Sequence, residues 1–458
     1  MKKYLLLLSI VLAGTAYADK WQGQVDAIRF YIDTDYTREG THVSIPEMWI
    51  DNVPCDTFYT VADTIGLRFS HSAFSMTGVP VASGDSLAAR FSVNAQTYKV
   101  MMARVDSLQP LFWAQNPCPP YPYTEEDVML PINDTITLAG TLTLPAGRRR
   151  VPAVVLLSGT GKQDRDASFT GHRPFARIAD YLSRRGVAVL RLDDRGVGQS
   201  TGVYADATTH DFATDALAAV KYLQAHRRIK KSKVGLMGHS EGGAAAMIAA
   251  ASSSDVAFVV TLAGLSTDGF TSLVLQNNAI IDTYPGFSDE WRRVNKEFLR
   301  QLFTWVREIP ASDSLAQPLR AKFSAWCAEQ PDSILQMTGL KYREEMYIAR
   351  YLHNADNRWY RELMRYNPGD YVPRVDVPVL ALNGDSDIMV PSKENLATAD
   401  SLLRLGGNKH YRIVELPGLN HMFQHCTTCI QNEIGSLPDV FAEEALIEIY
   451  AFLRDEIL

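Results

Sequence analysis

The sequence predicts an α/β fold: a mostly parallel sheet flanked by helices, carrying a helical cap insert and preceded by a small all-β domain. Three observations carry this. Beyond residue 150, short apolar runs alternate with helical periodicity, as strands buried on both faces and their crossover helices require. That alternation fails between Gly264 and Pro373, where Trp, Arg, Glu and Leu recur at helical spacing. Before residue 115 the pattern is short, alternating and β-like.

The chain of 458 residues opens on a targeting signature. Lys2 and Lys3 precede the apolar run Tyr4 to Ala13, and Ala16-Tyr17-Ala18 is a small-x-small cleavage site. Residues 1–18 are therefore expected to be a signal peptide, cleaved near Ala18, so that a periplasmic or secreted protein starts at Asp19. The apolar run is too short to span a bilayer. Thr15 stands where a lipobox would need Cys, so no stable membrane anchor is expected. The formal charge of −7 becomes more negative when Lys2 and Lys3 are lost, which makes nucleic acid a poor partner. The basic stretches Arg148 to Arg150 and Arg227 to Lys233 each precede a core strand and read as solvated loops. Five cysteines, Cys55, Cys118, Cys327, Cys426 and Cys429, leave at least one thiol unpaired. Cys426 and Cys429 have no second pair at zinc-finger spacing, so no metal is expected; they read equally well as a local disulfide or as two thiols.

Residues 19–115 read as a small β domain, a sandwich or barrel. Its strand signals are Ile28 to Ile32, Gly66 to Ser70, Ala89 to Val93 and Tyr98 to Met102, with turn-forming Asp, Gly and Asn between them. Residues 116–126, with Pro117, Pro119, Pro120 and Pro122, read as a stiff linker. The α/β domain then covers 127–458, with the cap at 265–372. It opens on a hairpin signal in Ile136 to Pro145, alternating on both sides of Ala139-Gly140. Core strands follow at Ala153 to Leu157, Val187 to Arg191, Lys233 to Met237, Val256 to Leu262, Val377 to Asn383 and Tyr411 to Leu416. Helix signals cover Pro174 to Arg185 and Thr209 to Ala225. The aromatics of the cap, Trp291, Trp305, Trp326 and Trp359 among them, serve to pack its helices, to shape a substrate pocket, or both.

Gly238-His239-Ser240-Glu241-Gly242 is a G-x-S-x-G sequence between an apolar strand and a small-residue helix starting at Gly243. Strand, sharp turn and helix make a nucleophile elbow, which exposes a serine Oγ beside a helix N-terminus. A serine hydroxyl needs a base, an orienter for that base, and donors for the oxyanion. On such a sheet the chain order is Ser, acid, His. After the strand ending at Asn383, Gly384-Asp385-Ser386-Asp387 offers the acid; Asp387 fits better than Asp385, because the apolar Ile388 to Val390 segment packs beneath it. Asp268, after an earlier strand, is a minor alternative. After the last strand, Pro417-Gly418-Leu419-Asn420-His421 places His421 at the carboxyl edge. His410 lies at the opposite end, His425 reads as exposed or supporting, and His239 as pointing away from Ser240 and packing locally. The oxyanion donors are expected to be the N–H groups of Glu241 and of Thr160 in Ser158-Gly159-Thr160-Gly161, with Gly161 as the alternative to Thr160. Asp164-Arg165-Asp166 reads as an ion-paired loop brace, and Asp193 to Ser200 as a tight turn without phosphate-loop spacing.

With these motifs the chain resembles the α/β-hydrolase superfamily, and within it the bacterial EstD-like carboxylesterases and serine aminopeptidase-like hydrolases. The likeness covers residues 115–458 and rests on Ser158 to Gly161 with Gln163 to Asp166, Asp194 to Ser200, the elbow, Asn383 to Asp387 and Leu416 to His421. One departure is Ser158, where many such hydrolases carry His. The resemblance implies an esterase acting on small-molecule esters without a cofactor. Two alternatives are an aminopeptidase or dipeptidyl peptidase with the same triad, and a non-catalytic binding protein on this scaffold. Glu290, Glu297, Glu344 and Glu345 all lie in the cap and could anchor a peptide amine if they face inward.

Overall fold

The computed structural model describes residues 19–458 except 26–27, 46–49, 62–63, 70–73, 81–84, 94–95, 107–112 and 148. The expected signal peptide and Arg148 thus lie outside the described residues. The chain divides into two compact units, Met1–Phe112 and Trp113–Leu458.

In the first unit β1 (Asp19–Val25), β2 (Ile28–Thr34), β3 (His42–Ile45), β4 (Ile50–Pro54), β5 (Thr57–Val61), β6 (Thr64–Phe69), β7 (Phe74–Pro80), β8 (Ser86–Val93) and β9 (Gln96–Val105) form one sheet. Its order is β4-β3-β2-β1-β9-β8-β7-β6-β5. Every described pairing is antiparallel, and β1 against β9 joins two runs of consecutive hairpins. Alternate residues, such as Phe30 and Ile32, or Leu87, Ala89 and Phe91, bury one face. All four sequence-predicted runs fall on strands, apart from Ser70, which lies outside the described residues. The nine strands form one hydrogen-bonded ladder, and residues from strands far apart in it, such as Ile45 on β3 and Met76 on β7, share one apolar core.

The second unit is an eight-stranded sheet of order β10-β11-β13-β12-β14-β15-β16-β17. Its strands are β10 (Tyr123–Pro131), β11 (Thr137–Pro145), β12 (Val151–Leu157), β13 (Ala188–Leu192), β14 (Ile229–His239), β15 (Val259–Leu262), β16 (Val379–Gly384) and β17 (Tyr411–Leu416). From β13 to β17 the strands are parallel; β10 and β11 are antiparallel. Strand β10 begins inside the segment read as linker. The hairpin predicted at Ala139-Gly140 is one continuous strand, β11, and the reversal lies at Asn133, whose side chain accepts from Thr135 N and Ile136 N. Gly140 serves close approach rather than a turn: a Cβ there would sit 2.3 Å from the Arg191 carbonyl oxygen on β13.

Helices cover both faces of the sheet. α1 (Pro174–Ser183) starts on Pro174, whose missing N–H costs nothing in a first turn. α2 (Thr209–Ala225) is closed by a capping box between Thr208 and Asp211. α3 (Glu241–Ser252) is mostly Gly and Ala, which lets it lie close against the strands. The cap contributes α4 (Gly269–Thr283), α5 (Asp289–Glu308), α6 (Ala316–Glu329), α7 (Asp332–Met337), α8 (Glu344–Ala355) and α9 (Arg358–Leu363). It has an apolar core of its own around Phe298, Leu302, Trp305 and Phe323. α10 (Ser392–Leu405), α11 (Gln431–Ile434) and α12 (Glu443–Glu456) complete the unit. Among the described residues no helix is long and apolar enough to cross a membrane.

Candidate active site

Ser240 sits between β14 and α3 with φ of 54° and ψ of −120°. A side chain other than glycine's rarely adopts that backbone, so its surroundings must hold it there. They do so by contact. A Cβ at Gly238 would lie 2.0 Å from the Gly242 carbonyl oxygen, and one at Gly242 would lie 2.4 Å from that of Leu157. Ser240 N–H donates to Leu262 on β15 at 2.9 Å. The elbow is thus as sharp as the sequence required.

Asp387 lies in the turn after β16 and is 4% exposed. Its Oδ1 accepts from Met389 N and Val390 N, each at 2.8 Å, and its Oδ2 lies 2.8 Å from His421 Nδ1. An ionised carboxylate only accepts, so His421 donates through Nδ1 and keeps Nε2 as its basic nitrogen. Asp385 instead accepts from Gly418 N at 2.8 Å and braces the histidine loop. Asp268 caps α4 through Thr271 N. His425 is exposed between Asp439 and Glu444, and the neighbouring Cys426 and Cys429 form a disulfide. His410 is exposed beside Glu456.

His239 does more than pack locally. Its ring lies 4.7 Å from that of His421, and its Nε2 is 2.9 Å from the His421 carbonyl oxygen. Burial, reinforced by the nearby His421, pushes its pKa down to about 3, so it is neutral at physiological pH and donates through Nε2.

Ser240, His421, His239, Gly159 and Thr160 open onto one cleft of about 350 Å³. The loop after β12 is braced from several sides. Asp194 accepts from Ser158 Oγ at 2.5 Å and from Gln163 N at 2.8 Å, so it spans the loop's two ends. Ser158, the departure noted above, is therefore an anchor for the loop. Gly161 N–H is engaged by the Tyr204 hydroxyl at 2.7 Å, whereas Thr160 lines the cleft. Arg165 pairs with Asp193, while Asp166 pairs with Arg173 and Arg191: the brace the sequence suggested. Asp194 itself is pushed up to about 7, mainly by burial and further by Glu241 and Asp193, against the pull of its two hydrogen bonds.

The cap closes the cleft with Leu273 and Gln276 from α4 and with Trp359 and Leu363 from α9. Trp305 belongs to the cap's own core and Trp291 stacks on Phe287. Of the cap tryptophans, Trp359 lines the cleft and Trp305 packs the cap itself. Sequence reasoning missed His239, Asp194, Tyr204 and the Glu241 side chain as parts of the site; no local spacing marks them.

A sequence model of the alpha/beta hydrolase fold matches residues 152–425. Esterase EstD of Thermotoga maritima is 24% identical over 285 residues, a match spanning 62% of this chain and 58% of that protein. Among solved structures, Est1E from Butyrivibrio proteoclasticus with bound ferulic acid is 20% identical, with a TM-score of 0.42 over 72% of this chain and 99% of its own. The α/β hydrolase GrgF from Penicillium sp. sh18 is 19% identical, with a TM-score of 0.44 over 73% and 99%. The family match spans more than half of the sequence and contains the elbow, the acid turn and the histidine loop: the chain belongs to the α/β-hydrolase family.

Proposed function

We propose that this protein is an exported serine esterase that cleaves small carboxylic esters through Ser240, His421 and Asp387. The observation that carries the reading is the shared cleft, in which a strained serine and a carboxylate-oriented histidine face a lining without formal charge. Among the described residues, that lining holds no Asp, Glu, Lys or Arg.

In the proposed reaction His421 Nε2 takes the Ser240 proton as Oγ attacks the ester carbonyl. Asp387 holds the imidazole and offsets its charge. The N–H groups of Glu241 and Thr160 receive the oxyanion. His421 then protonates the departing alkoxide, and water hydrolyses the acyl-enzyme by the same steps in reverse.

The uncharged lining favours an ester over a peptide amine. An aminopeptidase needs a carboxylate to hold the substrate's ammonium group, and the glutamates singled out from the sequence do not supply it. Glu297 and Glu345 are exposed and paired with Arg293 and Arg320, Glu290 is exposed, and Glu344 turns to Tyr342 N. The resemblance to Esterase EstD supports the same choice. Export is supported by the leader signature and by the Cys426–Cys429 disulfide, since such bonds persist in oxidising compartments. The deciding measurement is kcat/KM for p-nitrophenyl acetate and butyrate against aminoacyl and dipeptidyl p-nitroanilides. Ester turnover should dominate; anilide turnover at or above the ester rate overturns the esterase in favour of a peptidase. N-terminal sequencing of exported material should read Asp19 first.

A further inference from the structure

We propose that the Glu241 side chain is a strut joining the cap to the oxyanion loop, so that the seating of Trp359 sets the position of Thr160. The proposal rests on the serine-esterase reading above.

Glu241 follows the nucleophile and is 1% exposed. A carboxyl group so deeply buried is tolerated only when its oxygens are hydrogen-bonded. Here three neutral donors from three separate elements converge on it. Thr160 Oγ1, on the loop after β12, donates to Oε2 at 2.7 Å. Thr209 Oγ1, at the start of α2, donates to Oε1 at 2.6 Å. Trp359 Nε1, on α9 of the cap, donates to the same Oε1 at 2.8 Å. Thr160 and Trp359 both line the cleft. Elsewhere the buried positions of α3 are Gly, Ala, Met and Ile, so this carboxyl group is a local exception to an otherwise apolar helix.

The geometry gives the exception a consequence. A carboxyl group is planar and rigid, so whatever fixes Oε1 also fixes Oε2. When α9 is seated, the indole N–H and Thr209 orient the plane, and Oε2 is presented to Thr160. The Thr160 side chain then holds the backbone whose N–H is proposed to meet the oxyanion. Glu241 is in this sense a positioning residue through its side chain, apart from the role proposed for its own N–H. The same link holds the Trp359 ring at a fixed angle in the cleft wall.

The test uses the full-length chain with p-nitrophenyl acetate, whose single methyl is too small to be graded by the cap. Trp359→Phe keeps an aromatic ring and removes the donor; Thr160→Val keeps the backbone N–H and removes the hydroxyl. Each should lower kcat roughly tenfold with KM changed by less than about twofold, and the double variant should be no slower than the worse single. In Glu241→Gln, which keeps volume but not the same donor–acceptor set, adding Trp359→Phe should change kcat far less than it does in the parent. Independent multiplicative effects, or a Trp359→Phe effect that vanishes on acetate and appears only with longer acyl chains, overturn the strut. A second readout does not need turnover. The Trp359 indole N–H resonance in the ¹⁵N-labelled protein, assigned by its loss in Trp359→Phe, should shift in both Glu241→Gln and Thr160→Val. An unmoved signal overturns the strut even in an active enzyme; a shifted signal in a protein that hydrolyses no ester supports the strut and refutes the esterase.

Discussion

At the carboxyl edge of the parallel sheet, Ser240, Asp387 and His421 are each held by backbone. Ser240 sits at positive φ between glycines with no room for a Cβ, Asp387 is gripped by two N–H groups of its own turn, and the His421 loop is tied to Asp385 through Gly418. Across the cleft, the cap offers Leu273, Gln276, Trp359 and Leu363 from two helices, and the cap's apolar core is built mainly from other residues, with Leu273 packed against it. One side has little freedom to vary without losing its geometry. The other can change its lining while its core stays intact. In the proposed enzyme, the edge therefore sets whether an ester is cleaved, and the cap sets which ester.

The largest effects should fall on the edge. Ser240→Ala and His421→Ala should each lower kcat by roughly 10⁴–10⁶-fold in a protein that still folds, because each removes an atom that the proposed reaction needs; His421→Ala should also lower the unfolding temperature, since it leaves the buried Asp387 Oδ2 without its partner. Circular dichroism with ester turnover checks both halves. A variant that keeps a tenth of parental activity would remove its residue from the mechanism.

The next contrast lies within one turn. Asp387→Asn should cost about 10⁴-fold, because an amide facing His421 Nδ1 favours the wrong tautomer. Asp385→Asn should cost only a few-fold, since the amide oxygen still accepts from Gly418 N. Steady-state kinetics at a single pH suffice. The opposite ranking would move the acid to Asp385.

Across the cleft the scale drops and the observable changes. Leu273→Ala with Leu363→Ala should leave acetate turnover within about threefold while raising octanoate relative to butyrate by roughly tenfold, the scale at which an apolar pocket reads a few methylenes. A uniform fall across all chain lengths would show that these residues support the edge and do not select substrate.

The same contrast explains what was legible in the sequence. Ser240, Asp387 and His421 stood out as candidates because each edge position depends on short-range backbone chemistry: a glycine pair, a turn after a strand, a loop after the last strand. The parallel sheet was equally readable, through runs buried on both faces. Contacts between distant segments were not. Trp359 meets Glu241 across 118 positions and His239 meets His421 across 182, and no spacing records either. The Ala139-Gly140 turn failed for a related reason. A glycine between alternating residues looks the same whether it turns the chain or admits a neighbouring backbone, and only the Arg191 carbonyl of β13 decides between them.

The smallest effect expected on catalysis, and the most informative about the oxyanion loop, belongs to Asp194. Burial raises its carboxyl from an ordinary value of 3.8 to about 7, so folding and ionisation are linked. Below pH 4 the group is protonated in both states. As pH rises from about 4 to about 7, the unfolded chain releases the proton while the folded protein retains it, and stability falls. Above about 7 both states are ionised and the loss is complete. Asn cannot titrate, so Asp194→Asn should be relatively more stable at pH 8 than at pH 4.5, by a difference on the order of a few kcal/mol. His239 acts in the opposite sense, its contribution being lost as pH falls from 6.5 toward about 3, but it is present in both proteins and cancels in the comparison. Turnover should change only a few-fold, because the amide can still receive one of the two hydrogen bonds and give one to Ser158 Oγ. Urea unfolding of both proteins across pH 4.5 to 8 provides the check. Parallel stability curves would mean that Asp194 is as ionised in the folded protein as in water, and that the loop is held by an ordinary carboxylate.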